Sequence, residues 1–252
     1  MVALAGLALI GLVALVRPDT ADPFVPAGPS WELLETSRFC AAASASPVPT
    51  ITPTSVVNQK NGYLIPIPTE PSLHAAARMS CYLAEAVPRL LPSVTCHRLN
   101  DAEPFEAYVG RSFDPNRPEE TAPPFFTAEA LVRDERGTGE VSFGMSPRYE
   151  DDDSARAGCS GPPCTVRTGP HGELVTVLDS TMASGVRLVN VSVYKKDTIT
   201  TASAMNGVLA ATPADPGRAY SDSDYRRTRD DLPITVDQLI AVAAAPEMDL
   251  FP

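Results

Sequence analysis

From Glu129 onward the chain alternates apolar and polar positions with a period of two: Val141, Phe143 and Met145 share one parity, Ser142 and Gly144 the other. Successive side chains of a strand point to opposite faces, so this pattern predicts strands. Six such segments stand out, at about 129–134, 140–146, 164–168, 173–179, 186–195 and 198–205. Turn residues separate them at Gly137/Gly139, at Gly169-Pro170-His171-Gly172 and at Lys196-Asp197, and links this short favour an antiparallel meander. Val189, Val191 and Val193 are expected to face the core while Asn190, Ser192 and Tyr194 face outward, the alternation of a sheet covered on one side.

Before residue 100 the period is helical. Trp31 to Ala43 reads as a short helix, followed by a Pro/Thr-rich stretch from Pro47 to Pro71 with room only for brief extended pieces such as Tyr63-Leu64-Ile65. Ser72 then caps a longer helix. Along it Leu83, Val87, Leu90 and Leu91 recur at helical spacing, and Pro88 should kink or end it before the last two. At the other end Thr235 and Gln238 form a capping box, and Ile234 can staple onto Leu239. Val236, Leu239, Ile240 and Ala243 follow at i, i+3, i+4 and i+7, and Pro246 stops the run. The segment Leu232 to Pro246 resembles the closing helix of membrane-anchored extracytoplasmic proteins of unknown function from GC-rich actinobacteria. That resemblance implies an anchored topology and carries over no catalytic residue.

Val2 to Val16 are all apolar or Gly, shorter than the roughly 20 residues that span hydrocarbon but matching the apolar region of a signal peptide. No small-x-small cleavage site follows, because Arg17-Pro18-Asp19 intervenes, and this favours an uncleaved anchor over secretion. Residues 17–30 carry prolines at 18, 23, 26 and 29 and read as a stiff stalk. The expected organisation is therefore a signal or anchor segment at 1–16, a stalk at 17–30 and one domain at 31–252. Within that domain the helical part is 31–100, the β part 125–210 and the closing helix 235–245.

Five cysteines bear on the compartment. The turn Cys159-Ser160-Gly161-Pro162-Pro163-Cys164 can bring its ends within disulfide reach, which points to an oxidising environment. Cys81 is expected to pair with Cys96, leaving Cys40 odd, although Cys40 could replace either. Zinc at Cys159 and Cys164 with His171 is the competing reading, but a fourth ligand is missing. A net charge of −11 repels nucleic acid, and the basic run Arg226, Arg227 and Arg229 meets Asp230 and Asp231, so it reads as a solvated, self-neutralised loop. Of 252 residues 26 are Pro, so long loops are expected, while the 44% apolar content suffices for a core.

Each candidate for chemistry has a plainer reading. Ser192-Val193-Tyr194-Lys195 has the serine–lysine spacing of penicillin-binding proteins, which it resembles in those two residues alone. On a strand, however, those side chains fall on opposite faces. There is no Gly-x-Ser-x-Gly, and His74, His97 and His171 read as surface or boundary residues rather than general bases. Glu150-Asp151-Asp152-Asp153 and the pair Asp222, Asp224 lack the spaced ligands and glycine of a calcium loop.

The expected fold is α+β: an antiparallel sheet of about six strands with two N-terminal helices and a short C-terminal one. No catalytic, cofactor-binding or metal residue is assigned. The expected function is a non-enzymatic binding or sensing module of the cell envelope, bound to the membrane by its N-terminus, with an envelope protein or polymer as ligand. A hydrolase using carboxylates on cell-wall polymer is the alternative, which two carboxylates close together would favour. A structural partner of a membrane complex is the third.

Overall fold

The computed structural model describes residues 36–45, 55–57, 62–97, 99, 103–111, 123–210 and 221–251. The segment at 1–16 and the stalk at 17–30 lie outside them. Among the described residues no helix is long and apolar enough to cross a membrane.

Eight strands form one wholly antiparallel sheet: β3 (Thr95–His97), β4 (Tyr108–Arg111), β5 (Pro124–Asp134), β6 (Gly137–Pro147), β7 (Cys164–Thr168), β8 (Leu174–Thr181), β9 (Arg187–Tyr194) and β10 (Thr198–Met205). The hairpin β1–β2 (Ser55–Val57, Leu64–Pro66) and the pair β11–β12 (Gly207–Leu209, Tyr225–Arg227) stand apart. The expected strands all occur, but not as a single meander. The order β3-β5-β6-β10-β9-β8-β7 seats β10 against β6 and sends β7 to the far edge, while β4 joins β3 along the outer side of β5. The two extra edge strands have only three and four residues, too few for a period to register.

One parity of this sheet builds the core. Phe126, Ala128, Ala130 and Val132 of β5, Val141, Phe143 and Met145 of β6, and Val189, Val191 and Val193 of β9 are all buried in one cluster. Helix α2 (Ser72–Leu90) covers the β4–β5 side of that face and α4 (Val236–Ala244) the β9–β10 side, and the two helices touch. Met79, Leu83 and Val87, four residues apart, supply the buried stripe of α2. Gly139 permits the close approach of the chain before α4, since a Cβ there would lie 2.9 Å from Pro233 Cγ and 2.7 Å from the Met205 carbonyl.

Two expectations about α2 are corrected. Pro71, not Ser72, occupies the N-cap, and no side chain caps that end. Pro88 does not break the helix, which runs on to Leu90. A proline this near the C-terminus removes one backbone donor, and the following Leu91 N–H still reaches the Val87 carbonyl.

The capping box of α4 is present: Gln238 N–H donates to Thr235 Oγ1, and Thr235 N–H donates to Gln238 Oε1. The same Gln238 side chain donates through Nε2 to the Leu90 carbonyl, at 3.2 Å, so one residue finishes the start of α4 and the end of α2. The last carbonyls of α4 are also taken. Thr200 Oγ1 donates to Ala243 O at 2.7 Å and Lys195 Nζ to Ala245 O at 2.6 Å. A cation at a helix C-terminus is favourable, although burial pulls the Lys195 pKa down.

Helix α1 (Thr36–Ser44) packs on α2. Cys40 is bonded to Cys81, with Cα atoms 4.8 Å apart, in place of the expected Cys81–Cys96 bridge. The odd thiol is Cys96. It lies opposite Val132 on the core parity of β3, and burial pushes its pKa up to about 12. Cys159 and Cys164 are bonded to each other, closing the turn between α3 (Asp152–Gly158) and β7.

Leu239→Asp places a charge at a fully buried position and is predicted to cost several kcal/mol, roughly 3–5, whereas Thr235→Ala removes one cap and should cost about 1 kcal/mol. Urea melts check both, and equal small effects would mean that α4 is not docked. Non-reducing peptide mapping should recover Cys40 joined to Cys81, Cys159 joined to Cys164, and Cys96 alkylated only after unfolding.

Candidate functional site

The other parity of the sheet carries hydroxyls and amides. Across neighbouring strands Thr127, Gly144, Thr201, Ser192 and Thr176 fall in one row, with Tyr108 at one end and Val166 at the other. The next row holds Glu129, Ser142, Ser203, Asn190 and Leu178. These side chains are mostly half-buried or exposed, with Tyr108 51% and Leu178 38% accessible. Gly144 keeps the floor flat where Thr201 lies over it, as a Cβ there would come 2.6 Å from Thr201 Oγ1.

One end of this face is covered. Tyr194, Leu174 and Ile199, outward by parity, bury themselves with Ala155 of α3 in a small second cluster. Tyr194 is therefore not the solvent-facing residue that its strand position suggests. Its hydroxyl donates to Glu150 Oε1 at 3.2 Å, and burial together with that carboxylate raises its pKa to about 12. The acidic run beside it is used structurally. Asp151 caps α3 by accepting from Ser154 N–H, and Asp152 pairs with Arg148 at 2.5 Å. Asp222 accepts from Ala183 N–H, and Asp224 closes a capping box with Ser221.

The chemically unusual groups of this parity are Glu129 and Glu140, which sequence reading had not singled out; Glu140 lies in a row whose cross-strand neighbours, Leu131 and Met205, are buried. Glu129 lies opposite Ser142 and Glu140 opposite Leu131, so the two residues are diagonal neighbours on adjacent strands, a register that sets such neighbours about 7–8 Å apart, their Cβ atoms somewhat less. Burial raises the pKa of both, and Glu140, with the like charge of Glu129 added, reaches about 7. Among the described residues no basic group offsets either. The signal was present in the hairpin: two acids facing the same side, Glu129 between Ala128 and Ala130 and Glu140 between Gly139 and Val141, on either side of the turn at 135–136.

The remaining sequence candidates are dispersed. Ser192 is on the open face, while Lys195 lies beyond the end of β9 and reaches α4, so the two do not meet. His74 Nδ1 is 2.5 Å from Glu70 Oε1, and its Nε2 is 2.9 Å from the Ala43 carbonyl, a link between α1 and α2. Burial raises the Glu70 pKa, but hydrogen bonds from Arg78 and His74 outweigh it and hold the carboxyl below its usual range. His97 contacts Thr95 on β3, and burial and Arg133 lower its pKa. His171 is in an exposed turn. The basic run is not a solvated loop: Arg227 pairs with Asp230, but the Arg229 side chain is fully buried against Asp134 at 3.0 Å, with its Nε and Nη1 unpartnered among the described residues.

The Glu140 carboxyl carries a sign for pH. Its folded pKa of about 7 exceeds the reference of 4.5, so the folded state binds the proton more tightly than the unfolded chain. Its contribution is complete below pH 4.5 and is lost as pH rises through about 7. Glu140→Gln should remove this loss and gain on the order of 2 kcal/mol over wild type between pH 5 and pH 8. Parallel urea curves for the two proteins at both pH values would contradict it. No protein-family model, no curated protein and no solved structure matches this chain, so the open face stands on its own geometry.

Proposed function

We propose that the chain is a non-enzymatic binding or sensing module of the cell envelope. Residues 1–16 would hold it at the membrane with the domain outside, and the open face of the sheet would bind the ligand. The single observation that carries the reading is that face: two cross-strand rows of hydroxyl and amide groups, flat over Gly144 and edged by Tyr108 and Leu178. Such a surface offers many donors and acceptors in register and no converging nucleophile and base among the described residues. That suits an extended polar ligand such as a cell-wall polymer. The two disulfides support a thiol-oxidising compartment.

A specific observation also favours the hydrolase reading. Glu140 and Glu129 are diagonal neighbours at the edge of the open face, Glu140 beside the buried Leu131 and Met205, and the higher pKa of Glu140 would suit a general acid at neutral pH.

One experiment separates the two. Purified cell-wall sacculi are incubated with the full chain and sedimented. Thr201→Arg with Ser203→Arg should lower the bound fraction about tenfold or more while leaving the melting temperature unchanged, because both positions face outward. Wild-type retention without release of soluble fragments supports the binding module. Fragment release that Glu140→Gln abolishes supports the hydrolase, and retention unaffected by the double variant refutes the open face as the binding surface.

A further inference from the structure

Among the described residues the Cys40–Cys81 bridge has a neighbouring ligand group that the Cys159–Cys164 bridge lacks. Glu85 places a carboxylate oxygen 3.7 Å from Cys40 Sγ, and donor atoms of Cys40, Cys81 and Glu85 all lie within 4.8 Å of one another. Among the described residues this is the one group of three potential ligands so close together. Its origin is local. Cys81 and Glu85 are four residues apart and share one face of α2, and α1 packs against that helix and supplies Cys40.

We propose that reduction of this disulfide creates a site for a thiophilic divalent cation, Zn²⁺ by its donor chemistry. Two thiolates and one carboxylate are three of the four ligands of a tetrahedral zinc, with water completing the set. The balance is simple. A dithiol reductant transfers two electrons and two protons to the disulfide, giving two thiols and its own oxidised disulfide. The cation then displaces one proton from each thiol.

The geometry permits the change. In a tetrahedral site the sulfurs part to roughly 3.8 Å, a modest separation for helices joined at this point. α1 packs chiefly on α2, so most of the shift falls between the two helices. Cys40 and Cys81 are both partly exposed, so a reductant can reach them. The only ion pair of Glu85 among the described residues, with Arg89 at 3.7 Å, joins two exposed side chains and competes weakly. Cys96 is buried in the core and is not part of this group. The bridge would then fasten α1 to the domain in either redox state, through sulfur–sulfur bonding when oxidised and through the cation when reduced.

The test is Co²⁺ titration of the full chain, reduced and oxidised, followed by Zn²⁺ displacement. The reduced chain should take up about one equivalent, with sulfur-to-cobalt charge-transfer absorption and tetrahedral d–d bands that Zn²⁺ removes. Cys159→Ser with Cys164→Ser should keep those bands, and Cys40→Ser should lose them. Glu85→Gln, at an exposed position that leaves folding intact, should weaken Co²⁺ binding about tenfold or more. Bands that survive Cys40→Ser, bands lost in the Cys159/Cys164 variant, unchanged affinity in Glu85→Gln, or no uptake from micromolar Co²⁺ would each overturn the proposal.

Discussion

Side chains of a strand alternate between two faces, and because most large apolar residues of this sheet keep to one parity, one face carries the main core while the other is buried only in part, as where Tyr194, Leu174 and Ile199 meet Ala155. That constraint governs this molecule. Val141, Phe143, Val189, Val191 and Val193 are all buried on the same side, and α2 and α4 together cover it. The opposite side keeps Ser142, Asn190, Ser192, Thr201 and Ser203, which are half-buried or exposed and which no helix covers among the described residues.

Covering one face with two helices creates a second demand, since helix ends leave backbone groups without partners. Here the polar side chains near the seam meet it. Gln238 serves both the start of α4 and the end of α2, while Thr200 and Lys195, one in a strand and one beside it, take the last carbonyls of α4. Arg78 holds the tail beyond α4 through the carbonyls of Glu247 and Asp249. The residues that close the core are thus polar ones, and the serine–lysine motif dissolves because its lysine belongs to this seal.

What the sequence made legible was local. Period-two alternation located the six principal strands, and the capping box located α4, since both signals involve residues within a few positions of one another. Strand order was hidden because hairpin links say which strands are consecutive, not that β10 returns to β6. The partner of Cys81 was hidden for a similar reason: sequence distance favoured Cys96, but its parity on β3 turns it into the core while α1 carries Cys40 onto α2. Arg229 looked solvated beside Asp230 and Asp231, yet its partner is Asp134, far away in the chain. Glu129 and Glu140 passed unnoticed because their proximity depends on hairpin register.

The central claim is that the uncovered face of the sheet is the working surface. Hydroxyl-radical footprinting with soluble cell-wall fragments, read by mass spectrometry, tests it most directly. Protection confined to Tyr108, Thr127, Leu178 and Asn190 is the predicted result. Protection centred on α2, α4 or the β1–β2 hairpin, or none at saturating fragment, would contradict it.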